Sequence, residues 1–368
     1  MGNLLTSSSS NKQIDPDCKE LDFIFDKKFN DRLLNEYCKQ IGQLQKLNVL
    51  KLEFGSVNKN VNEQKLIQFL EGTNTCSSLE QIEIYFEYQK LNEKIVAGLN
   101  QGLKKCQNIN CLKFFFFDSY RKNDKQKPCG DSQIKLISQI LSVNSVKTQF
   151  IKLDLSQISN SGLIILSNSL NQCSNINTFI INLKESQMIF ADGIQCLSQS
   201  ISNHINLKIL QLEFFDCNLT DQTAQYLFQG ITKCQKLCKL NITLQATYQL
   251  TDEAIKCLSE AFIQLSNLQI LIINIMMNNF GEQGIGQILG KSVLQCKNLK
   301  NIYFTLALNK ILQNDAEILC KELSKSHTLN FITIFFFFLD IQDRPNQNKR
   351  LEQICKKTKK LISLKLLV

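Results

Sequence analysis

Hydrophobic residues recur along this chain in the pattern Leu-x-x-Leu-x-Leu-x-(apolar), with polar residues between them. The pattern occurs twelve times, and its second residues are 21, 50, 82, 112, 151, 179, 210, 240, 271, 302, 332 and 364. A period near thirty residues predicts stacked units, each burying its apolar face against its neighbours. We expect one repeat domain over residues 18–368, with all twelve positions buried in strands of one parallel sheet.

Each repeat reads as a strand, a turn and a helix. Leu268–Ile275 alternates enough between apolar and polar residues to be a strand with one buried face. Asn and Gly residues over 278–284 mark a turn, and Ile285, Ile288, Leu289 and Val293 follow at helical spacing. The chain therefore predicts an α/β solenoid of about twelve strand-helix repeats.

The turns Leu219–Ala224 and Leu250–Ala254 share a Leu-Thr-Asp sequence in which Thr or Asp can cap the N-terminus of the following helix. Together with 278–284 they resemble the ribonuclease-inhibitor-like class of leucine-rich repeats. The resemblance implies a horseshoe with a parallel sheet on the concave face and helices on the convex face. Repeats about two residues longer than usual resemble the large ciliate families, some of which carry a protein kinase domain; no kinase motif occurs in this chain.

The composition and the positions of the cysteines predict an intracellular protein. Apolar residues make up 43% of it, and no run reaches the 18 or so needed to cross a bilayer. Five cysteines stand at one repeat position, as buried core residues would: Cys76, Cys106, Cys173, Cys234 and Cys296. We expect free thiols and, in the absence of a signal-peptide pattern, a cytoplasmic protein.

The net charge of +9 does not by itself predict nucleic-acid binding. Only four of the 42 basic residues are arginine, the residue that recognises phosphate and bases best. The chain has two histidines and no Ser-His-Asp, Cys-His or His-Glu grouping. We predict a non-enzymatic protein-interaction scaffold with no catalytic, metal or cofactor site. A regulator of a small GTPase or of ubiquitin ligation is the alternative.

A candidate partner-binding site lies on the predicted concave face, where residues between the core positions point. Tyr85, Phe115 and Phe117 fall on neighbouring strands, with Glu53, Glu83 and Asp154 around them. Exposed aromatic residues ringed by charge are typical of interaction hot spots. Stacking of these rings on neighbouring strands without any partner is the other interpretation. Phe335 and Phe337 form a second candidate pair.

Three segments outside the regular repeats are further candidates. Residues 1–17 read as a flexible leader that matches the N-myristoylation pattern at Gly2. The long interval between 112 and 151 places a loop insertion at 118–131, which binds a partner or is simply solvated. A basic stretch near the C-terminus would contact anionic lipid and so support membrane binding by a myristoyl chain on Gly2: Lys356, Lys357, Lys359 and Lys360.

Overall fold

Strands and helices alternate along the chain, as the sequence pattern predicts. The computed structural model describes residues 3–5, 17–24, 40–41, 43–44, 46–54, 63–87, 91–106, 108–117, 130–282, 284–336, 344–358, 361 and 363–367. The chain divides into two units. Unit 1 holds Met1–Ser156 and Ile165–Ile176, and unit 2 holds Gln157–Ile164 and Asn177–Val368.

Unit 1 contains a parallel sheet whose strands follow one another in chain order. The strands are β1 Asn3–Leu5, β2 Glu20–Ile24, β3 Val49–Phe54, β4 Gln81–Glu87, β5 Cys111–Phe117 and β6 Thr148–Ser156. The connecting helices are α1 Glu63–Gly72 with a 3-10 turn at Thr73–Thr75, α2 Glu93–Lys105 and α3 Asp131–Val143. Helix α4, Asn160–Leu170, contributes residues to both units.

Unit 2 repeats the same arrangement, again with a parallel sheet in chain order. Its strands are β7 Thr178–Lys184, β8 Ile209–Phe215, β9 Lys239–Gln245, β10 Ile270–Asn274, β11 Asn301–Thr305, β12 Phe331–Phe335 and β13 Ser363–Leu367. Its helices are α5 Ala191–Asn203, α6 Asp221–Ile231, α7 Asp252–Phe262, α8 Ile285–Gln295, α9 Gln313–Leu323 and α10 Arg344–Cys355.

The predicted core positions are confirmed. Eleven of the twelve are strand residues with at most 1% of their surface exposed, from Leu21 to Ile332. The twelfth, Leu364, lies in β13, and its side chain falls outside the described residues. Strand residues alternate between buried and half-buried, so one face of each sheet packs under the helices. Each unit is therefore a run of leucine-rich repeats in an α/β solenoid.

The leader also contributes to the sheet. Asn3–Leu5 forms β1, which runs parallel to β2 with Asn3 opposite Leu21 and Leu5 opposite Phe23. The sequence pattern predicts no element there, because three residues are too few to show a strand period. The first repeat thus has a strand neighbour on each side.

The predicted alignment of the fifth repeat is wrong by two residues. The spacing pairs Ile151 with Leu112, whereas Ile151 lies opposite Phe114 and Phe150 lies opposite Lys113. An irregularity between Leu112 and Lys113 sets this register. A shift of two residues keeps every side chain on its own face, so the apolar pattern fits both alignments equally well.

A left-handed backbone position follows the strand in successive repeats. Of the described residues, six that are not glycine have φ between 50° and 61°: Gln157, Glu185, Asp216, Ala246, Met277 and Leu308. The N–H groups of the five from Gln157 to Met277 continue the strand ladder; that of Glu185 donates to Phe215 O at 2.9 Å, and that of Asp216 to Gln245 O at 3.0 Å. Each conformation costs about 1–2 kcal/mol, which these inter-repeat hydrogen bonds offset.

In several repeats the next residue carries a side chain that hydrogen-bonds to the preceding repeat, as Ser186, Cys217, Asn278 and Asn309 do. Asn278 Oδ1 accepts from Thr247 N at 2.7 Å, and its Nδ2 donates to Ile275 O at 2.9 Å and to Leu244 O. Asn309 repeats the pattern, with Nδ2 donating to Ile275 O at 2.9 Å. This position matches the Asn/Cys slot of the leucine-rich repeat pattern. A ladder of polar side chains therefore ties neighbouring turns together.

The cysteines in repeat register close the ends of helices. Cys106 Sγ donates to Leu70 O at 3.3 Å, and Cys234 Sγ donates to Ile201 O at 3.4 Å, each reaching the helix of the preceding repeat. All five are buried, and burial raises the pKa of the thiols of Cys173 and Cys234 to about 12. The described cysteines are all free thiols.

Candidate functional site

A stack of three aromatic rings lies on the open face of unit 1, which we define as the sheet face away from the helices. Tyr85 and Phe115 occupy opposed positions of β4 and β5, with ring centroids 4.2 Å apart and planes 5° from parallel. Phe115 also contacts Phe150 of β6 at 4.7 Å. The pairing of Tyr85 and Phe115 agrees with the sequence prediction. Phe150 was missed because the predicted alignment of β6 was two residues off.

Phe117 lies on the same face but at the end of the strand. It is half-buried and stands opposite Glu87 in the register of β4 and β5. Asp154 comes one residue after Leu153, the partner of Phe116, so it lies at the Phe117 end of the face. These two residues therefore flank the aromatic stack at one end, while Phe150 extends it across β6.

Glu83 is held by three donors in front of the stack. Its Oε2 accepts from the Tyr85 hydroxyl at 2.8 Å, and its Oε1 accepts from Gln81 Nε2 at 2.8 Å and from Lys113 Nζ at 3.1 Å. Burial and the bond to Glu83 hold the pKa of the Tyr85 phenol above its usual range. Glu83 thus fixes the Tyr85 ring and has its charge balanced by Lys113, so it contributes little free negative charge to a partner.

A second cation on the face is also paired within the protein. Lys51 of β3 forms ion pairs with Glu20 and, at 3.7 Å, with Asp22 Oδ1 of β2. The hydrogen bond with Glu20 raises the pKa of Lys51, although burial acts against it. Neither acidic residue of β2 was singled out by sequence reasoning, because their pairing with Lys51 depends on the strand register.

Glu53 differs from the other carboxylates of the open face. Among the described residues it has no hydrogen bond or ion pair, and it stands opposite Tyr85 in the register of β3 and β4. Burial raises the pKa of Glu53, and the charge of Asp22 raises it further. Glu53 lines a pocket of about 230 Å³ together with Asp22, Phe23, Ile24, Lys51 and Tyr85.

The raised pKa of Glu53 gives a pH-dependent prediction for stability. A carboxyl with a higher pKa in the folded state binds its proton more tightly there, so folding loses stability as pH rises through that pKa. Glu53→Gln removes this loss and should be more stable than the wild type near pH 7.5, with no difference near pH 4. The side chain is only partly buried, so the gain should stay below about 1 kcal/mol.

Urea unfolding at both pH values measures this difference. Glu213→Gln is a matched control, because Glu213 lies on the open face of unit 2 and accepts a hydrogen bond from Gln211. A Glu53→Gln variant that is less stable than the wild type at pH 7.5 would show that the Glu53 carboxylate has a stabilising partner.

The second predicted aromatic pair is only partly described. Phe335 ends β12, is half-buried, and stands between Thr305 of β11 and Leu367 of β13. Phe337 lies outside the described residues. Phe335 therefore has no aromatic residue opposite it in β11 or β13, and the geometry of the pair lies outside the described residues.

Unit 2 exposes a set of apolar side chains that sequence reasoning missed. They cluster at and after the ends of the strands, where each strand leads into its helix: Met188, Phe190, Phe215, Tyr248, Met277, Leu308 and Leu312. Their positions vary within the repeat, so no periodic signal marks them in the sequence.

The remaining predicted segments fall largely outside the described residues. Gly2 and 118–129 are not described, and of the insertion 118–131 the structure describes only Gly130 and Asp131, at the start of α3. Lys356 and Lys357 are exposed after α10, and Lys356 pairs with Glu352 at 3.4 Å. Lys359 and Lys360 are not described.

No described helix combines the length and apolar character needed to cross a bilayer. The described part of the chain holds no group of three or more His, Cys, Asp or Glu residues placed to bind a metal ion.

No protein-family model matches the chain, and no curated protein matches it. The chain is similar in structure to one in the crystal structure of the Rad7 and Elc1 complex in yeast. The two share 16% sequence identity with a TM-score of 0.47, and the match covers 90% of this chain and 74% of that chain.

Proposed function

We propose that this protein is a non-enzymatic scaffold that binds a protein partner on the open face of unit 1. The observation that carries the proposal is the stack of Tyr85, Phe115 and Phe150, half-buried on a sheet face that no described helix covers. Aromatic residues supply large contact areas at little cost in side-chain entropy and are enriched at binding hot spots. The core rings of the same strands lie on the other face, so the stack is not needed to fill the core.

The triple variant Tyr85→Ser, Phe115→Ser, Phe150→Ser tests this proposal. We expect it to fold, because the buried residues Phe86, Phe114 and Phe116 are unchanged. Truncation of a hot spot costs about 2 kcal/mol or more, so the triple variant should bind its partner at least about 30-fold more weakly. Quantitative mass spectrometry of proteins retained from native cells identifies the partner, and titration with the purified partner gives the affinity.

A control variant carries Phe215→Ser and Tyr303→Ser on the open face of unit 2. Both side chains are 37% exposed, so their loss should leave stability and partner binding close to those of the wild type. Retained binding by the unit 1 triple variant, or loss of binding by the unit 2 control, would move the binding site away from the aromatic stack.

We also propose that the repeats belong to the ribonuclease-inhibitor-like class. The support is the full helix in each regular repeat of unit 2, such as α5 with thirteen residues and α6 with eleven.

We also propose that this chain is cytoplasmic and attaches to a membrane through an acylated Gly2. The support is the exposed Lys357 near the C-terminus, because a basic group can supply the second signal that one acyl chain needs. Mass spectrometry of the mature N-terminus tests it, and an unacylated Gly2 would overturn it.

A further inference from the structure

The open face of unit 1 contains an aligned row of side chains with opposite charges at its two ends. Strand register places Glu53, Tyr85, Phe115 and Lys152 side by side across β3 to β6. The row therefore runs from a carboxylate through two stacked rings to an ammonium group. This order sets which end of the face attracts a positive group.

The charges next to the carboxylate end do not cancel. Lys51 lines the pocket beside Glu53, but Glu20 and Asp22 already pair with it. Counting these four residues gives three negative charges against one positive charge. Asp22 Oδ1 lies 3.7 Å from Lys51 Nζ and accepts no hydrogen bond from any described residue, so Lys51 balances this carboxylate only in part.

One face of the Tyr85 ring is available on the pocket side. Phe115 covers the face towards β5, with the rings 4.2 Å apart, whereas Tyr85 itself lines the pocket beside Glu53 on the β3 side. The Tyr85 hydroxyl is committed to Glu83, so the ring is held in place. A fixed aromatic face next to a carboxylate favours a cation, which gains from the ring quadrupole and from the opposite charge.

We propose that this pocket, lined by Asp22, Glu53 and Tyr85, binds an arginine side chain of the protein partner. A guanidinium group is planar and presents a fork of donors, so it can stack on the Tyr85 ring while donating to Glu53 and Asp22. An ammonium group is more strongly hydrated and makes no such stack, which is why arginine fits better than lysine. The inference rests on the proposed scaffold function and adds the chemistry of one partner residue to it.

Two peptide libraries test the proposal on the full-length chain. Both contain nine-residue peptides with randomised flanking residues; the central residue is arginine in one and citrulline in the other. Citrulline keeps the shape of arginine without its charge. We expect the wild-type protein to retain the arginine library at least about tenfold more than the citrulline library, which corresponds to about 1.4 kcal/mol.

Variants then assign that preference to the pocket. Glu53→Gln and Asp22→Asn should bring the arginine-to-citrulline ratio close to one while leaving the binding that depends on the aromatic stack. Lys152→Gln is the matched control, because Lys152 lies in the same row at the far end from Glu53. It should keep or raise the arginine preference. Circular dichroism confirms that each variant is folded.

The outcomes separate this inference from the proposed function. Equal retention of the two libraries by the wild type, with binding still lost in the triple aromatic variant, would overturn the arginine pocket and support the scaffold. An arginine preference that survives in both Glu53→Gln and Asp22→Asn would also overturn the pocket. Retention of neither library, or retention unchanged in the triple aromatic variant, would overturn the pocket and count against the aromatic stack as the binding site.

Discussion

Replacing Asn278 with leucine is expected to lower the free energy of unfolding by about 3 kcal/mol, one of the largest effects of any single change in this chain. Leucine has nearly the same size but can neither accept from Thr247 N nor donate to the carbonyls of Leu244 and Ile275. The two carbonyls keep other donors, Thr247 Oγ1 and Asn309 Nδ2. The buried N–H of Thr247 loses the acceptor that it has in the wild type.

The magnitude follows from these separate losses. An unsatisfied buried N–H costs about 1–3 kcal/mol, and each further hydrogen bond lost costs about 1 kcal/mol. Denaturant unfolding followed by circular dichroism measures the change. Asn279→Ala is the control, because Asn279 is exposed and makes one long hydrogen bond, to Tyr248 O at 3.3 Å. A loss below about 1 kcal/mol for Asn278→Leu would show that the polar ladder adds little to stability.

Gly286→Ala should destabilise the contact between α8 and α9 by up to about 2 kcal/mol. A Cβ on Gly286 would lie 2.0 Å from Asp315 O and 2.8 Å from Asp315 C, so backbone rather than a flexible side chain must move. Overpacking of this kind usually costs about 1–3 kcal/mol. The gain in helix propensity from glycine to alanine, about 1 kcal/mol, offsets only part of it.

The same close approach occurs between α5 and α6, which allows an independent check. A Cβ on Gly230 would lie 2.4 Å from Ser198 O, so Gly230→Ala should be destabilised in the same way. Gly130→Ala is the control, because the nearest atom to its Cβ is the side-chain Gln133 Oε1 at 3.2 Å. Thermal unfolding of the three variants gives the comparison. Increased stability in Gly286→Ala and Gly230→Ala would mean that the helices are farther apart.

The sequence predicted the core well because burial depends on a local pattern. Leu50, Ile82 and Leu240 are buried strand residues because alternation along a strand determines which side chains share a face. The same pattern does not determine the register between strands, because alignments that differ by two residues bury the same side chains. That ambiguity hid Phe150 and misplaced Ile151 relative to its neighbour.

For the candidate site, the sequence predicted the placement of Tyr85 and Phe115 on neighbouring strands but not the ion pairs beside them. Tyr85 and Phe115 stack because their repeats have regular length, so the spacing alone aligned them. The acidic surround looked uniform in sequence, yet Glu83 is balanced by Lys113 and Glu53 has no partner among the described residues. Ion pairs of this kind join different strands, so they depend on the three-dimensional register and leave no periodic signal.

The buried thiols at the helix ends can report on local opening of the repeats, because each is a native labelling site. Alkylating reagents attack the thiolate, and burial raises the pKa of Cys76 to about 11 and that of Cys296 to about 12. Each of these groups can react only when its own helix end separates from the preceding repeat, where Cys76 Sγ donates to Ile41 O and Cys296 Sγ to Phe262 O. A time course of iodoacetamide labelling, resolved by peptide mass, would therefore rank the repeats by how often they open, with no probe introduced.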